Sequence, residues 1–170
     1  MLLEFTTMNE KEMYYMVHNV YSEASYEIAK DKHPEMQDLE EAIQEEEQYF
    51  VEKFLGKFMS KNENTYYVWE ENGVWVSALR LTKLDGFYYM EALETAPEER
   101  GKGYATKLIS ETIDLLRSRG EVIIRSNVGK KNNVSHATHL KCGFEVEHEN
   151  GINYITGTVR ENVYGMIYRE

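Results

Sequence analysis

The chain is poor in residues that form covalent cross-links and in residues that interrupt regular structure. Its 170 residues include one cysteine and two prolines. A lone Cys142 excludes an intramolecular disulfide and a cysteine-based metal cluster, so we expect a cytoplasmic location and no metal. There is no apolar run of about 18 residues that would predict a membrane span. The first residues also lack the basic segment and apolar core of a signal peptide.

Positive charge is scarce as well. The sequence has 19 Lys and Arg against 30 Asp and Glu, which gives a net charge of −11. Nonspecific nucleic-acid binding depends on basic side chains that neutralise phosphates, so no nucleic-acid partner is expected. An acidic surface keeps a protein in solution, and it can also attract a cationic substrate such as an amine. Composition alone leaves both interpretations open.

The residues that are plentiful predict a single folded domain over residues 1–170. Hydrophobic residues make up 42% of the chain and aromatic residues 12%, which is typical of a globular protein with a substantial core. No internal repeat, low-complexity segment or linker interrupts the sequence. A chain of this length fits one domain.

Two helices are predicted in the first third of the chain. Asn9 and Glu12 can form a capping box ahead of an apolar stripe that continues to Ile28, and His33-Pro34 ends this helix. A second helix is predicted over residues 35–59, with most of its glutamates on the solvent side. The buried face of this second helix is predicted to consist of Met36, Leu39, Ile43, Phe50, Phe54 and Phe58.

Strands are predicted from runs of β-branched and aromatic residues bounded by turn signals. Asn72-Gly73 and Asp85-Gly86 are both typical of type I′ hairpin turns, and they predict an antiparallel meander. Residues 152–159 fit either an extra strand or a loop. The predicted strands span residues 2–6, 66–70, 74–81, 87–95, 121–126, 144–149 and 163–169.

The strongest local pattern is a strand, a glycine turn and a helix over residues 87–120. Pro97 ends the strand, and the turn Arg100-Gly101-Lys102-Gly103-Tyr104-Ala105 leads directly into a helical pattern. The first backbone N–H groups of a helix have no intrahelical partner, and glycines let a ligand approach them closely. This pattern favours a phosphate or pyrophosphate site, although it also occurs in ordinary tight turns.

Arg100-x-x-Gly103-x-Ala105, placed after a strand, resembles motif A of the GNAT superfamily of N-acetyltransferases. The segment from Asn132 to Phe144, NNVSHATHLKCGF, resembles motif B of that family, an Asn before a short helix that ends in Lys-x-Gly-Phe. The two motifs stand in the expected order, and the layout of elements matches over nearly the whole chain. The resemblance implies an acyltransferase that uses acetyl-CoA as its cosubstrate.

The resemblance also implies the family's α/β (α+β mixed) fold. In this GNAT-like fold a central, mostly antiparallel sheet of six or seven strands carries one parallel pair at the cofactor cleft, with about four helices around it. By position, the strands at residues 87–95 and 121–126 form the parallel pair. In the family these two strands splay apart at their C-terminal ends, and the pantetheine arm enters the gap.

The resemblance assigns the cofactor contacts as well. The amides of the motif A turn would hold the pyrophosphate, and the backbone of the preceding strand would hold the pantetheine arm. Asn132 would contact this arm, although it can equally be a plain helix cap. The predicted cofactor-binding residues are Leu93, Glu94, Thr95, Arg100, Gly101, Lys102, Gly103, Tyr104, Ala105, Thr106, Asn127, Asn132 and His136.

Acetyl transfer also needs a proton for the departing thiolate. In the family this acid is often a tyrosine four residues before the glycine of Lys-x-Gly-Phe. His139 stands at that position here, which is a departure from the family pattern. An imidazole can donate a proton near neutral pH, so His139 is the predicted acid. His136, Tyr104 and Tyr154 are the alternatives.

The attacking amine must lose a proton, and Glu91 is the predicted base. Strand alternation places Glu91 and Glu94 on opposite faces, so at most one of them points into the cleft. Cys142 has no activating neighbour in the sequence, so a covalent acetyl-enzyme is not expected.

Together these features predict an N-acetyltransferase in which a primary amine attacks acetyl-CoA directly. A small-molecule amine is favoured as the acceptor. A peptide or protein N-acetyltransferase, or a noncatalytic acyl-CoA-binding sensor domain, is the alternative. We expect a monomer or homodimer with no membrane partner.

Overall fold

The structure is a computed structural model that describes residues 1–120 and 122–170. Glu121, predicted to open a strand, lies outside the described residues. A π-helical turn, Val51–Leu55, joins the third helix to the fourth. The α-helices of the described residues therefore form five bodies, where about four were predicted. The helices are α1 (Glu10–Val20), α2 (Ser22–Lys32), α3 (Glu40–Phe50), α4 (Gly56–Met59), α5 (Tyr104–Arg117) and α6 (Asn133–Lys141).

Apart from β1, the strands follow the helical first third of the chain. They are β1 (Leu2–Phe5), β2 (Asn64–Glu71), β3 (Val74–Leu84), β4 (Phe87–Thr95), β5 (Ile123–Gly129), β6 (Glu145–His148), β7 (Gly151–Ile152), β8 (Val159–Arg160) and β9 (Val163–Arg169). β7 and β8 pair with each other as a short separate hairpin, so the segment left open by the sequence is strand only at its two ends.

Seven of the described strands form one sheet in the order β1-β2-β3-β4-β5-β9-β6. Among the described strands, β4 and β5 are the one parallel pair of this sheet, and its other neighbours are antiparallel. This confirms the predicted sheet. The parallel pairing runs only from Tyr88↔Ile124 to Met90↔Ser126. Both strands continue past that point, so a gap opens between their C-terminal ends.

A bulge interrupts β4 just where this gap begins. Ala78 of β3 pairs with Glu94 and Arg80 pairs with Glu91, so two residues of β4 stand against one residue of β3. Ala92 lies inside the bulge with a φ of 51°. Because the bulge adds one residue, Glu91 and Glu94 pair with residues on the same face of β3. The prediction that they lie on opposite faces is therefore wrong.

Helices cover both faces of the sheet and divide the core in two. α5 packs on one face, in a cluster that includes Leu79, Leu81, Leu108, Ile109, Ile113 and Met166. α1 and the α3–α4 body pack on the other, in a cluster that includes Met16, Val17, Val20, Tyr21, Val51, Leu55 and Tyr66. Burial of these side chains is the main favourable term in folding. None of the helices in the described part of the chain is long and apolar enough to cross a membrane.

The first predicted helix is divided into α1 and α2 at Tyr21, whose φ of −105° and ψ of 15° interrupt the helix. The apolar stripe does not continue through this bend. Ile28, predicted to be buried, is exposed, because α2 turns Ser25 and Ala29 toward the core instead.

The second predicted helix begins at Glu40, and it buries a different stripe from the predicted one. Phe54 is exposed, whereas Glu47, predicted to face solvent, is buried and its carboxylate lies 3.1 Å from His18 Nδ1. A π-helical turn contains one residue more than an α-helical turn, so side chains four positions apart lie along the same face of the helix. The stripe that is buried in this way consists of Glu47, Val51, Leu55 and Met59.

The two hairpin turns differ from each other. Asn72 and Gly73 have φ values of 52° and 81°, as a type I′ turn requires. In the next hairpin only Gly86 has a positive φ, so the type I′ prediction for Asp85-Gly86 is wrong. Both turns join strands without altering the predicted meander.

Candidate active site

A cleft of about 540 Å³ opens beside the C-terminal end of β4, the turn before α5 and the start of α6. Lys102, Asn127 and His136, which were predicted to bind the cofactor, do not line it. The residues that line it are Glu23, Leu93, Glu94, Thr95, Glu99, Arg100, Gly101, Gly103, Tyr104, Ala105, Thr106, Asn132, Val134, Ser135 and Thr138.

The turn before α5 can accept an anionic group such as a pyrophosphate. Gly101 and Gly103 have φ values of 77° and 83°, a region that favours glycine. A Cβ built at either position would meet no heavy atom of the described residues within 4 Å. Gly103 caps α5, and within the described chain no side chain bonds to that cap. The first N–H groups of α5 are therefore free to bind an anion.

Arg100 lies in the cleft with its guanidinium held by three acceptors. Nη1 donates to Glu23 at 3.1 Å, Nη2 donates to Glu94 at 2.9 Å, and Nε donates to the carbonyl of Thr95 at 3.2 Å. The hydrogen bonds from Arg100 lower the pKa of Glu23, so this carboxylate stays ionised. Glu23 belongs to α2, and no sequence signal connected it with the motif A turn.

The other basic residue of the turn points elsewhere. Lys102 Nζ is 2.8 Å from a carboxylate oxygen of Glu99, in a pair three residues apart on the surface. This pair is exposed to solvent, where such pairs contribute little. Arg100 therefore supplies the formal positive charge of the cleft wall.

The start of α6 forms the opposite wall. The Asn132 side chain accepts a hydrogen bond from the backbone N–H of Ser135 at 3.0 Å, so Asn132 is the cap of α6. It also lines the cleft, which means that capping and cofactor contact are compatible. Ser135 and Thr138 were missed, although a spacing of three residues after a cap places them on one helical face.

His139 is buried behind this wall. Its side chain packs edge-on against Phe144 at 5.1 Å, and its Nδ1 lies 2.8 Å from the carbonyl oxygen of Ser135. A carbonyl can only accept, so Nδ1 carries the proton and Nε2 of the neutral ring does not. Burial lowers the pKa of His139 below its ordinary value of 6.5. The site thus favours an imidazole without a proton to donate from Nε2.

The alternative acids are placed in three different surroundings. His136 packs beside Tyr164 at 5.6 Å, and its Nε2 is buried with no partner among the described residues. Tyr104 lines the cleft. Tyr154 packs against Phe87 at 5.1 Å, at the end of β4 far from the cleft.

Asn127 was predicted to follow the strand at residues 121–126, but β5 extends to Gly129 and contains it. Its Nδ2 donates to the hydroxyl of Tyr89 at 2.9 Å and to the carbonyl of Ile152 at 2.8 Å. A Cβ on Gly151 would stand 2.2 Å from Asn127 Oδ1, so only glycine fits beside it. Asn127 therefore anchors the β7 hairpin to the sheet.

Glu91 lies on the face of the sheet that α1 covers. Its carboxylate is 3.5 Å from the guanidinium of Arg80, and both side chains are about one-quarter exposed. Arg80 in turn lies over the ring of Phe58 at 4.9 Å. Because Arg80 is held against the ring of Phe58, its guanidinium orients the Glu91 carboxylate.

Cys142 is a buried thiol between α5 and α6. It receives a weak hydrogen bond from Ser110 and donates one to the carbonyl of Thr106, both at 3.7 Å. Burial raises the pKa of this thiol, which disfavours the reactive thiolate. In the searched part of the chain, no group of three His, Cys, Asp or Glu side chains could hold a metal ion.

The fold is similar to that of several solved acetyltransferases. The PaiA N-acetyltransferase of Thermoplasma acidophilum, solved with coenzyme A, aligns with a TM-score of 0.68 at 14% identity over 100% of this chain and 99% of that one. A chimera of Vibrio cholerae spermidine N-acetyltransferase SpeG and hSSAT aligns with a TM-score of 0.63 at 19% identity over 99% and 95%.

A third structure, the ribosomal-protein-S18-alanine N-acetyltransferase of Escherichia coli, aligns with a TM-score of 0.61 at 14% identity over 99% of this chain and 94% of that one. A sequence comparison with curated proteins found no match. At these identities the structural likeness shows the fold alone.

The family comparison goes further than the fold. The family described as "Acetyltransferase (GNAT) family" matches residues 16–144, which contain both motifs and most of the cleft. The predicted resemblance is thereby confirmed, and so is acetyl-CoA as the acyl donor. The chain belongs to the GNAT family of acetyltransferases.

Proposed function

We propose that this acetyltransferase transfers the acetyl group of acetyl-CoA to the primary amine of a small molecule, by direct attack of the amine on the thioester. The observation that supports it best is the cleft at the start of α5. There the free N–H groups, two glycines with open space beside them and Arg100 face the same volume. The N-terminus of a helix is a favourable binding site for a pyrophosphate, because its N–H groups and its dipole both attract negative charge.

The remaining cofactor contacts follow from the gap between β4 and β5. The parallel pairing ends at Met90, so the backbone of Leu93, Glu94 and Thr95 is not bonded to β5. These three residues line the cleft, although the carbonyls of Glu94 and Thr95 already accept hydrogen bonds from Ser77 and Arg100. The backbone groups that stay unpaired there can bond to the amides of the pantetheine arm. Asn132 can contact the same arm from α6.

The charge of the chain favours a cationic acceptor. Its net charge is −11, which attracts an amine that carries a positive charge. Structurally similar proteins act on both kinds of acceptor, since one is named a spermidine and another a ribosomal-protein N-acetyltransferase. Spermidine and a peptide that begins with alanine are therefore the two probes to compare.

We assign proton removal from the amine to Glu91. It lies one residue before the bulge at the gap, and Arg80 orients its carboxylate. For His139, the assignment as the acid stays a prediction, but its buried, Nδ1-protonated ring acts against that role.

The cofactor site is tested with Gly103→Val. We expect the variant to lose at least about 100-fold in acetyl-CoA affinity in isothermal titration, because a branched side chain would block the approach to the α5 amides. Gly86→Val is the matched control. Gly86 has a similar φ of 81° and open space beside it, but it lies at the far end of β4. Equal acetyl-CoA affinities of the two variants would show that the turn before α5 does not bind the cofactor.

The base is tested with Glu91→Gln. With spermidine as acceptor, we expect kcat to fall by about 100-fold while acetyl-CoA affinity is unchanged, because the amide cannot take a proton. Glu145→Gln, which changes an exposed pair with Arg169, serves as the control.

If CoA release is faster with the alanine peptide than with spermidine in the wild type, the small-molecule assignment is wrong.

The acid is tested with His139→Ala across pH. We expect kcat at about pH 8 to change less than threefold, because a histidine whose pKa lies below 6.5 is neutral there. An imidazolium acid would instead give a wild-type kcat that falls as pH rises through the lowered pKa. A wild-type kcat that falls about tenfold as the pH rises through the lowered pKa of His139, with no such fall in the variant, would restore His139 as the proton donor.

The role of Glu23 is tested with Glu23→Gln. A pyrophosphate beside Arg100 competes with the Glu23 carboxylate, so we expect the variant to bind acetyl-CoA about two- to fivefold more tightly at low salt. Glu46→Gln, which alters a surface pair with Lys32, should leave the affinity unchanged. Weaker binding by Glu23→Gln would mean instead that Glu23 orients Arg100 for the cofactor.

A further inference from the structure

The bulge of β4 contains a backbone conformation that is uncommon for its residue. Ala92 has a φ of 51°, in the left-handed region that glycine adopts readily and alanine does not. It directly follows the Met90–Glu91 segment, where β4 stops pairing with β5. Such conformations persist only where the surroundings hold them in place.

One side chain holds this conformation directly. The hydroxyl of Tyr21 donates a hydrogen bond to the carbonyl oxygen of Ala92 at 2.7 Å, across 71 positions of sequence. Tyr21 is 8% exposed, so its hydroxyl sits where water cannot easily replace it. Burial raises the pKa of Tyr21 well above its ordinary value, which keeps the donor proton at any physiological pH.

The position of Tyr21 is itself well defined. It lies at the bend between α1 and α2, and its backbone N–H closes α1 by donating to Val17 at 3.0 Å. Its ring packs near that of Phe50 at 6.2 Å, within the core cluster under α1. A rigid bend thus holds the hydroxyl against the bulge.

We propose that Tyr21 is a positioning residue, which fixes the left-handed conformation of Ala92 and so sets the direction of the Leu93–Thr95 backbone along the cleft. This backbone is the part of the strand assigned to the pantetheine arm, so the inference rests on the proposed cofactor site. Tyr21 does not line the cleft, so it acts on the cofactor site through the bulge.

The test compares two ligands with and without the pantetheine arm. Tyr21→Phe keeps the ring and removes the hydroxyl. We expect it to weaken acetyl-CoA about tenfold in isothermal titration, because small misplacements of a binding backbone have effects of this size. Binding of 3′-phosphoadenosine 5′-diphosphate, which has the pyrophosphate but no arm, should change less than twofold. Tyr26→Phe, on the exposed face of α2, is the matched control.

A second background separates a local role from a general loss of stability. Glycine adopts the left-handed region without strain, so in an Ala92→Gly background the loss caused by Tyr21→Phe should shrink from about tenfold to about twofold. An equal loss in both backgrounds overturns the proposal, as does an unchanged acetyl-CoA affinity. A parallel loss of both ligands also overturns it, because that result indicates general destabilisation.

These outcomes are distinct from a failure of the cofactor site itself. If the wild type binds neither ligand, the proposed site is wrong, and the role of Tyr21 in it is wrong as well. If the wild type binds both and Tyr21→Phe binds both equally well, only the role of Tyr21 is wrong. Thermal unfolding of each variant, measured in parallel, confirms that the titrated protein is folded.

Discussion

The short parallel pairing between β4 and β5 is the constraint on which the rest of the site depends. Strand pairs satisfy the backbone N–H and C=O groups of both partners. Here the pairing stops after Met90, although both strands continue, so β4 keeps unpaired backbone groups beside a gap. The turn that follows β4 then brings the free end of α5 to the same gap. The unpaired backbone of β4 and the free N–H groups of α5 therefore lie at the same gap.

Much of this arrangement could be predicted from the sequence because the determining residues are close together in the chain. The order of strand, glycine turn and helix is local, and so are the Asn132 cap and the bounds of β9. Ten of the residues that line the cleft were predicted for this reason, and all ten lie in the two motif segments. The family resemblance added the cosubstrate, which the spacing of residues did not specify.

Several features that sequence reasoning missed depend on distant contacts or on one inserted residue. The alternation of side chains along a regular strand cannot reveal a bulge, so Glu91 and Glu94 were predicted to lie on opposite faces of the sheet. The 3.6-residue spacing of apolar side chains in an α-helix cannot reveal a π-helical turn, so Glu47 was predicted to face solvent rather than His18. Glu23 reaches Arg100 from 77 positions away, and His139 is buried only because α6 packs its ring on Phe144.

The ion pair between Arg100 and Glu23 has a thermodynamic consequence for two-substrate binding. When the guanidinium turns to a phosphate, α2 loses a contact that ties it to the cleft. A second ligand that moves α2 away from Arg100 removes the same contact. By linkage, each ligand then raises the affinity of the other by the same factor. Such coupling has the same size whichever ligand binds first, and it arises from a single carboxylate on a helix outside both motifs.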